Sequence, residues 1–265
     1  MVFVSYLARI IIYPIKSLDG VAVDRSTVLP SGALQYDREY AIADQQGKFI
    51  NGKRSPKVHL LRSQFDLVTK TVSLKVEGTA RVDTFHLDGD RAELDAWLSN
   101  YFSTPVHLQQ NSLTGFPDDT NAAGPTIIST ATLKAVAAWF PGGDYEEMSV
   151  RWRTNLEIAD VRPFWEDQLF AREGDLVEFQ IGEVHFLGIN PCQRCIVPTR
   201  HPLTGEVYPH FQKIFVAQRQ ATLPPGVEVS RFNHFYRLAV NTRIPANQAG
   251  RILQVGDEIQ IHKKG

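Results

Sequence analysis

Cysteine is nearly missing from this sequence: Cys192 and Cys195 are the only two in 265 residues. So few thiols exclude a secreted disulfide framework, and their CxxC spacing fits a reducing compartment with a reactive or metal-binding pair. Long apolar runs are missing too. No stretch approaches the ~20 apolar residues that a bilayer-spanning helix requires, so no membrane span is expected. The run from Met1 to Ile12 is interrupted by Arg9 and has neither a basic leader nor a small-residue cleavage site, so it does not read as a signal peptide, and the chain is expected in the cytoplasm. A surplus of either charge is also lacking, with 28 Lys plus Arg against 29 Asp plus Glu. General affinity for nucleic acid or a membrane surface therefore has no support, and any anion site must be local. The patterns GxGxxG, HExxH and GxSxG do not occur, which withdraws support from dinucleotide binding, zinc-peptidase chemistry and the α/β-hydrolase nucleophile elbow.

What is present is an ordinary globular composition, 43% hydrophobic and 22% charged, in a chain long enough for one large or two average domains. Strand-like segments dominate. Val21 to Leu29, Tyr40 to Ala43 and Thr71 to Val76 are punctuated by turns, and Leu156 to Ile158, Leu176 to Ile181, Val184 to Leu187, Phe235 to Val240 and Glu258 to Ile261 follow in the second half. Three helices are predicted. The first carries Leu94, Trp97, Leu98, Tyr101 and Phe102 at helical spacing behind an Asp90/Glu93 capping box; the second starts at Ser129 or Thr130 and ends before Pro141; the third covers about His210 to Gln220. Asn111 to Pro125 lacks either periodicity and marks a boundary. The reading is a mainly β, α+β protein of two β-barrel modules, 1–115 and 116–265, with peripheral helices.

Gly47 to Lys53 fills seven positions of a phosphate-binding GxxxxGK[ST] loop, but Arg54 replaces the hydroxyl residue and Pro56 follows with no helical pattern, so a two-glycine hairpin explains it better. The segment Asn190 to Pro202 is the most informative. Arg194 and Arg200 would lower the thiol pKa of the cysteine pair, and the thiolate is the reactive form. A redox CxxC opening a helix is disfavoured by Pro198 and Pro202; a structural zinc site could recruit His201 and His210; inert buried cysteines are the bland alternative. Near the start, Tyr13 to Ser17 brings Lys16 and Ser17 out of a strand together, a natural phosphate grip. Arg38, Arg153 and Asn155 also precede predicted strands. Lys16, Arg38, Arg153 and Arg194 could thus assemble a small anion pocket in a near-neutral chain.

The segments YPIKS, DREYAI, GKFINGKR, RWRTNLEI and PCQRCIVPTRHPLTG occur in an order shared by one family. The chain resembles the MOSC family, the domain related to the C-terminus of molybdenum cofactor sulfurase. More narrowly, it resembles two-module members similar to the mitochondrial amidoxime-reducing component, with a MOSC N-terminal β-barrel before the MOSC domain. The resemblance implies a molybdenum cofactor (Mo-molybdopterin) with Cys195 as the metal ligand, chemistry that suits a soft thiolate. It also implies cofactor contacts by Lys16, Ser17, Arg38, Ser129, Arg153, Asn155 and Arg194. Ser129 near a helix N-terminus would suit an anion.

Relatives close to the amidoxime-reducing component carry Thr-Thr-Val-Asp-Pro after the ligand cysteine, where this chain has Pro198-Thr199-Arg200-His201-Pro202. The acid becomes His201, so either Asp37 or His201 is the candidate proton donor. Cys192 could pair with Cys195 on oxidation. Plant-type iron–sulfur clusters require four cysteines, so electrons are expected from a separate donor protein with flavin, haem or iron–sulfur chemistry. The leading expectation is a two-electron reductase of small N-hydroxylated or N-oxide compounds. The alternative is a carrier that holds the cofactor, or sulfur on Cys195, without turnover.

Overall fold

In a computed structural model, which describes residues 4–262, strands outnumber helices and the chain takes the mainly β arrangement expected. The N-terminal part contains β1 (Tyr6–Ile12), β2 (Val21–Val23), β3 (Arg25–Thr27) and β4 (Tyr40–Asp44). A meander of β5 (Leu61–Asp66), β6 (Thr71–Val76) and β7 (Val82–His86) then leads to α1 (Arg91–Phe102) and β8 (Val106–Gln110). The remainder runs β9 (Ile127–Ser129), α2 (Thr130–Ala137), α3 (Tyr145–Trp152), β10 (Leu156–Ala159), β11 (Val177–Ile181) and β12 (Val184–Gln193). It closes with α4 (Phe211–Ala221), β13 (Arg237–Arg243), β14 (Ile252–Gln254) and β15 (Ile259–Ile261).

The largest sheet has the order β15-β11-β12-β13-β9-β10-β1-β2. Its far ends meet: the Leu7 N–H donates to Asp257 O at 2.8 Å, the Gly256 N–H to Leu7 O at 2.8 Å, and the Ile259 N–H to Ser5 O at 3.0 Å. The sheet thus curls until β1 is bonded on both edges, which removes exposed edge groups. Leu7, Ile10, Ile12, Ile127, Leu156, Phe179, Phe186 and Val240 fill the interior. A second core, under α1, gathers Ile15, Leu18, Ile42, Leu74, Leu94 and Leu98; a third packs α2, α3 and α4 through Leu133, Met148, Trp152, Phe211 and Phe215. The expected division near residue 115 falls in an irregular stretch, 111–126. Strand pairing nevertheless crosses it, β1 with β10 and β3 with β14.

Two features position the site. Residues 13–18 cross from one core to the other: Ile12 belongs to the sheet interior, Ile15 and Leu18 to the core under α1. The crossing is pinned by the Lys16 N–H donating to Tyr40 O at 2.7 Å and the Tyr40 N–H to Pro14 O at 2.9 Å. Lys16 and Ser17 therefore lie between the cores by topology. The second feature is β12, whose register against β13 slips between Gly188 and Asn190 and again between Pro191 and Gln193. Pro191 has no N–H for the ladder, so the strand bends there and carries Cys192 away from regular pairing.

Two local expectations are corrected. Asp90 does not cap α1 with its side chain; its carboxylate accepts from the His86 N–H at 2.8 Å instead. The helix α3 was not anticipated, although Asp144 caps it by accepting from the Glu147 N–H at 2.8 Å. No helix among the described residues is long and apolar enough to cross a membrane.

Candidate functional site

A cleft of about 760 Å³ lies where the crossing segment 13–18, the turn at Asp37-Arg38, the end of α3 and the end of β12 converge. Nine Lys or Arg residues line it against four Asp, in a chain whose net charge is −1. Electrostatics is therefore concentrated here rather than spread over the surface. Five of the nine, Lys53, Arg153, Arg194, Arg200 and Arg237, have no carboxylate within salt-bridge distance among the described residues. Lys53 is exposed and the four arginines are half-buried, and cations partly withdrawn from water with no acid beside them favour an anion that joins them.

The Tyr13 ring organises one side. Arg153 lies over it with 4.3 Å from guanidinium carbon to ring centroid, and Arg38 with 5.4 Å. Burial, partly offset by both guanidiniums, pushes the Tyr13 phenol up to about 12. Arg153 also donates to Leu18 O at 2.6 Å. Arg38 pairs with Asp37 and reaches Asn155 Oδ1 at 3.3 Å. Ser17, Arg38 and Arg153 all have left-handed backbone, φ 76°, 50° and 52°. Non-glycine residues rarely accept that conformation, and it clusters at functional sites. Lys16 is buried, donates to Phe116 O at 2.8 Å and pairs with Asp118 at 2.5 Å. Burial lowers its pKa, with Arg38 and Arg153 pushing the same way and Asp118 opposing.

Cys192 and Cys195 are both free, half-buried and on the cleft wall. The bland reading of inert, sealed cysteines fails on that point. A three-residue 3-10 turn at Val197–Thr199 follows rather than an α-helix, which also removes the redox-helix reading. Among the described residues no group of three His, Cys, Asp or Glu is placed to hold a metal ion, so the zinc alternative lacks its third and fourth ligands. Arg194 donates to Leu238 O at 2.9 Å and Trp152 O at 3.0 Å, while its Nη2 is buried with no partner. Trp152 Nε1 and Arg237 Nε are orphaned in the same way.

The structure brings together Lys16, Ser17, Asp37, Arg38, Arg153, Asn155, Arg194 and Cys195 on this cleft, and it leaves out two expected members. Ser129 is fully buried at the β9–α2 junction. It accepts from the Thr132 N–H at 3.0 Å and its hydroxyl meets that of Thr132 at 2.7 Å, so it is a helix cap inside the core and does not line the cleft. His201 lines a separate depression of about 280 Å³, and its Nδ1 accepts from the N–H groups of Leu203 and Thr204, so the turn that bears it points it away from the cleft. Two further members have orienting geometry. Asp37 accepts from the Tyr13 N–H at 2.9 Å, from Asn155 Nδ2 at 3.1 Å and from Arg38, so its carboxylate anchors the Arg38 turn on the cleft wall. Asn155 also donates to Ile11 O at 3.0 Å and accepts from Thr126, tying β1, β10 and the Arg38 turn together.

Sequence reasoning missed His59, Arg62, Arg151 and Arg237 on the cleft wall. His59, Arg62 and Arg237 are single polar residues in a 3-10 turn or a strand with no motif around them, and Arg151, though within the RWRTNLEI segment, sits on the short helix α3 that periodicity does not reveal. Arg151 matters for position: it donates to Pro198 O at 2.7 Å and Arg200 O at 2.6 Å, fixing the turn just after Cys195. The GKFINGK segment forms a turn at Gly47 and no helix, as the hairpin reading requires, yet its Gly52 and Lys53 reach the cleft.

Residues 4–105 match the MOSC N-terminal beta barrel domain. The chain is also similar to the molybdenum cofactor sulfurase of Homo sapiens, at 23% identity over 256 residues, and to those of Oryza sativa subsp. japonica and Danio rerio, at 26% over 249 and 236 residues. These alignments take in 78%, 76% and 71% of this chain but only 28%, 29% and 27% of the relatives, so the chain spans less than a third of the curated proteins it matches. The chain thus carries a match to the MOSC N-terminal beta barrel domain in its first part and is similar, over most of its own length, to part of these molybdenum cofactor sulfurases.

Proposed function

We propose that the cleft binds a mononuclear molybdenum cofactor and that the protein is an oxidoreductase removing oxygen from N-hydroxylated or N-oxide compounds by two electrons. The observation that carries the reading is one cleft offering a half-buried free thiol, Cys195, beside cations that have no acid partner. The residues fit such a group. A thiol is the soft donor a sulfur-rich molybdenum centre prefers, and the orphaned Arg194 Nη2, Trp152 Nε1 and Arg237 Nε are donors awaiting an acceptor. Association of the relatives with the molybdenum cofactor by name agrees with this.

When bound, the cofactor supplies Lewis acidity, a two-electron change and an open coordination position. Lys16, Arg38 and Arg153 would hold its phosphate, with Ser17 as a neutral donor. Asp37 and Asn155 keep the Arg38 guanidinium in place, and Arg151 steadies the turn after Cys195. The unpartnered N–H of Arg194 would be available to the cofactor. Electrons come from a separate donor protein.

The test compares native protein with Cys195→Ser for molybdenum and pterin content, melting temperature, and reduction of benzamidoxime with a chemical reductant. Molybdenum retention is expected to fall at least tenfold while the melting temperature changes little. Equal molybdenum in both proteins would remove Cys195 as ligand. The rival reading, a carrier of cofactor or sulfur, draws on the relatives being sulfurases by name. It gains if loaded protein is inert toward N-oxygenated and S-oxide compounds alike.

A further inference from the structure

A second polar cluster lies on the cleft wall, formed by residues that the cofactor reading does not use. His59, from the 3-10 turn Pro56–Leu60, is 7% exposed, lines the cleft, and its Nε2 is buried without a hydrogen-bond partner. Three guanidiniums act on its imidazole, those of Arg200, Arg153 and Arg62. Burial first, then these charges, outweigh a bond from the ring to the Pro202 backbone and hold His59 neutral, with a pKa lowered to about 4. Arg62 donates to His59 O at 2.6 Å, and its Nε has no partner. Its acids are Asp19 at 3.4 Å and Glu77 at 3.8 Å. Arg200 donates to Gly205 O at 3.1 Å and has no carboxylate partner among the described residues.

Packing keeps this cluster together. The turn closed by the His201 N–H to Glu206 O bond brings Gly205 against His59, where an added Cβ would stand 3.2 Å from the His59 Cβ. From the other side Gly52 approaches so closely that a Cβ would sit 2.9 Å from His59 Nε2. Like charges crowded on a neutral imidazole with orphaned donors destabilise the empty site, and an oxyanion reverses that sign. The cofactor has one phosphate, already matched by Lys16, Arg38 and Arg153. Arg200 stands five residues after Cys195, on the turn that Arg151 fixes.

We infer that His59 and Arg200, backed by Arg62, form a second oxyanion subsite and that the substrate therefore carries a carboxylate or phosphate. The placement of that anion in a substrate rests on the cofactor reading; the anion site itself does not. Arg200 supplies planar, two-point recognition of the oxyanion, and the neutral imidazole of His59 closes the wall beside it.

Inorganic phosphate titrated calorimetrically into the cofactor-free full-length chain is the probe. Two sites are expected, one weakened at least tenfold by Arg200→Gln and by His59→Gln, the other by Lys16→Gln. Phosphate is also expected to raise the His59 imidazole pKa, followed by NMR, by about one unit or more in the wild type and not in Arg200→Gln. Should Arg200→Gln fold poorly, Arg200→Lys keeps the charge and is expected to retain part of the binding. A single phosphate site, lost with Lys16→Gln and unchanged in Arg200→Gln, overturns the subsite. In loaded protein, 4-carboxybenzamidoxime is expected to have a KM at least tenfold below that of benzamidoxime, and Arg200→Gln to erase the ratio; equal KM values in the wild type overturn an anionic substrate. A chain that retains no molybdenum refutes the proposed function instead, and the phosphate titration, which needs no cofactor, still decides the subsite.

Discussion

Asp118 occupies Lys16 in the way an incoming phosphate would, through a 2.5 Å ion pair. Its side chain is exposed; neighbouring protein atoms push the carboxyl up, and Lys16 and Arg38 outweigh that and hold it below the ordinary carboxylate range, so it is charged at neutral pH. Asp118→Asn removes the competing anion. The variant is expected to bind inorganic phosphate several-fold more tightly than wild type by calorimetry, and equal or weaker binding would show that Asp118 does not compete. Glu166 gives a second test of a residue's environment. It is 1% exposed and accepts from Thr132 Oγ1 at 3.0 Å, and its other oxygen has no partner. Burial, with Asp167 adding to it, raises its pKa from 4.5 to about 7. Between those values the unfolded chain ionises while the folded chain stays protonated, so stability falls as pH rises, by on the order of 3 kcal/mol in all, and then levels off. Glu166→Gln removes the ionising group. Its stability relative to wild type is expected to rise through this window and flatten above it, measured by denaturant unfolding at pH 4.5, 6 and 8; a difference independent of pH would contradict the assignment.

Among the elements, the two helix starts show how far local signals reach. Asp90/Glu93 and Asp144/Glu147 have the same spacing, yet only Asp144 caps its helix, because the Asp90 carboxylate is bonded to the His86 N–H across the turn. The eight-residue α3 is too short for periodicity to reveal, and its amphipathic pattern gains meaning only once Met148 and Trp152 meet α4. The strand β12 depends on close approach. A Cβ on Gly188 would lie 1.6 Å from Leu169 O, in the 3-10 turn Trp165–Leu169. Backbone cannot yield as a side chain can, so Gly188→Ala is expected to destabilise by about 3 kcal/mol or more in chemical denaturation. An effect below about 1 kcal/mol would mean that this packing is not maintained in solution.

At the scale of the whole molecule, the barrel takes strands from both sides of residue 115. Removing the N-terminal part leaves the β10 edge unpaired and takes Leu7, Ile10 and Ile12 out of the interior. A fragment of residues 116–265 is therefore expected to show no cooperative thermal transition by circular dichroism, and a sharp transition would establish an independent unit. The sequence by itself determined the local grammar: β alternation, most turns, the paired cysteines, and the Lys16 and Arg153 segments whose residue order carries the family resemblance. Those follow from short-range sterics, periodicity and composition. Only the tertiary structure decided which polar groups share solvent and which do not. Ser129 and His201 sit in segments that look right for the site but are turned into the core or away from the cleft. His59, Arg62 and Arg200 become neighbours because the two cores pack with the 13–18 crossing between them. Charges from distant parts of the chain interact only when folding removes the water between them, and no short window of sequence encodes that removal.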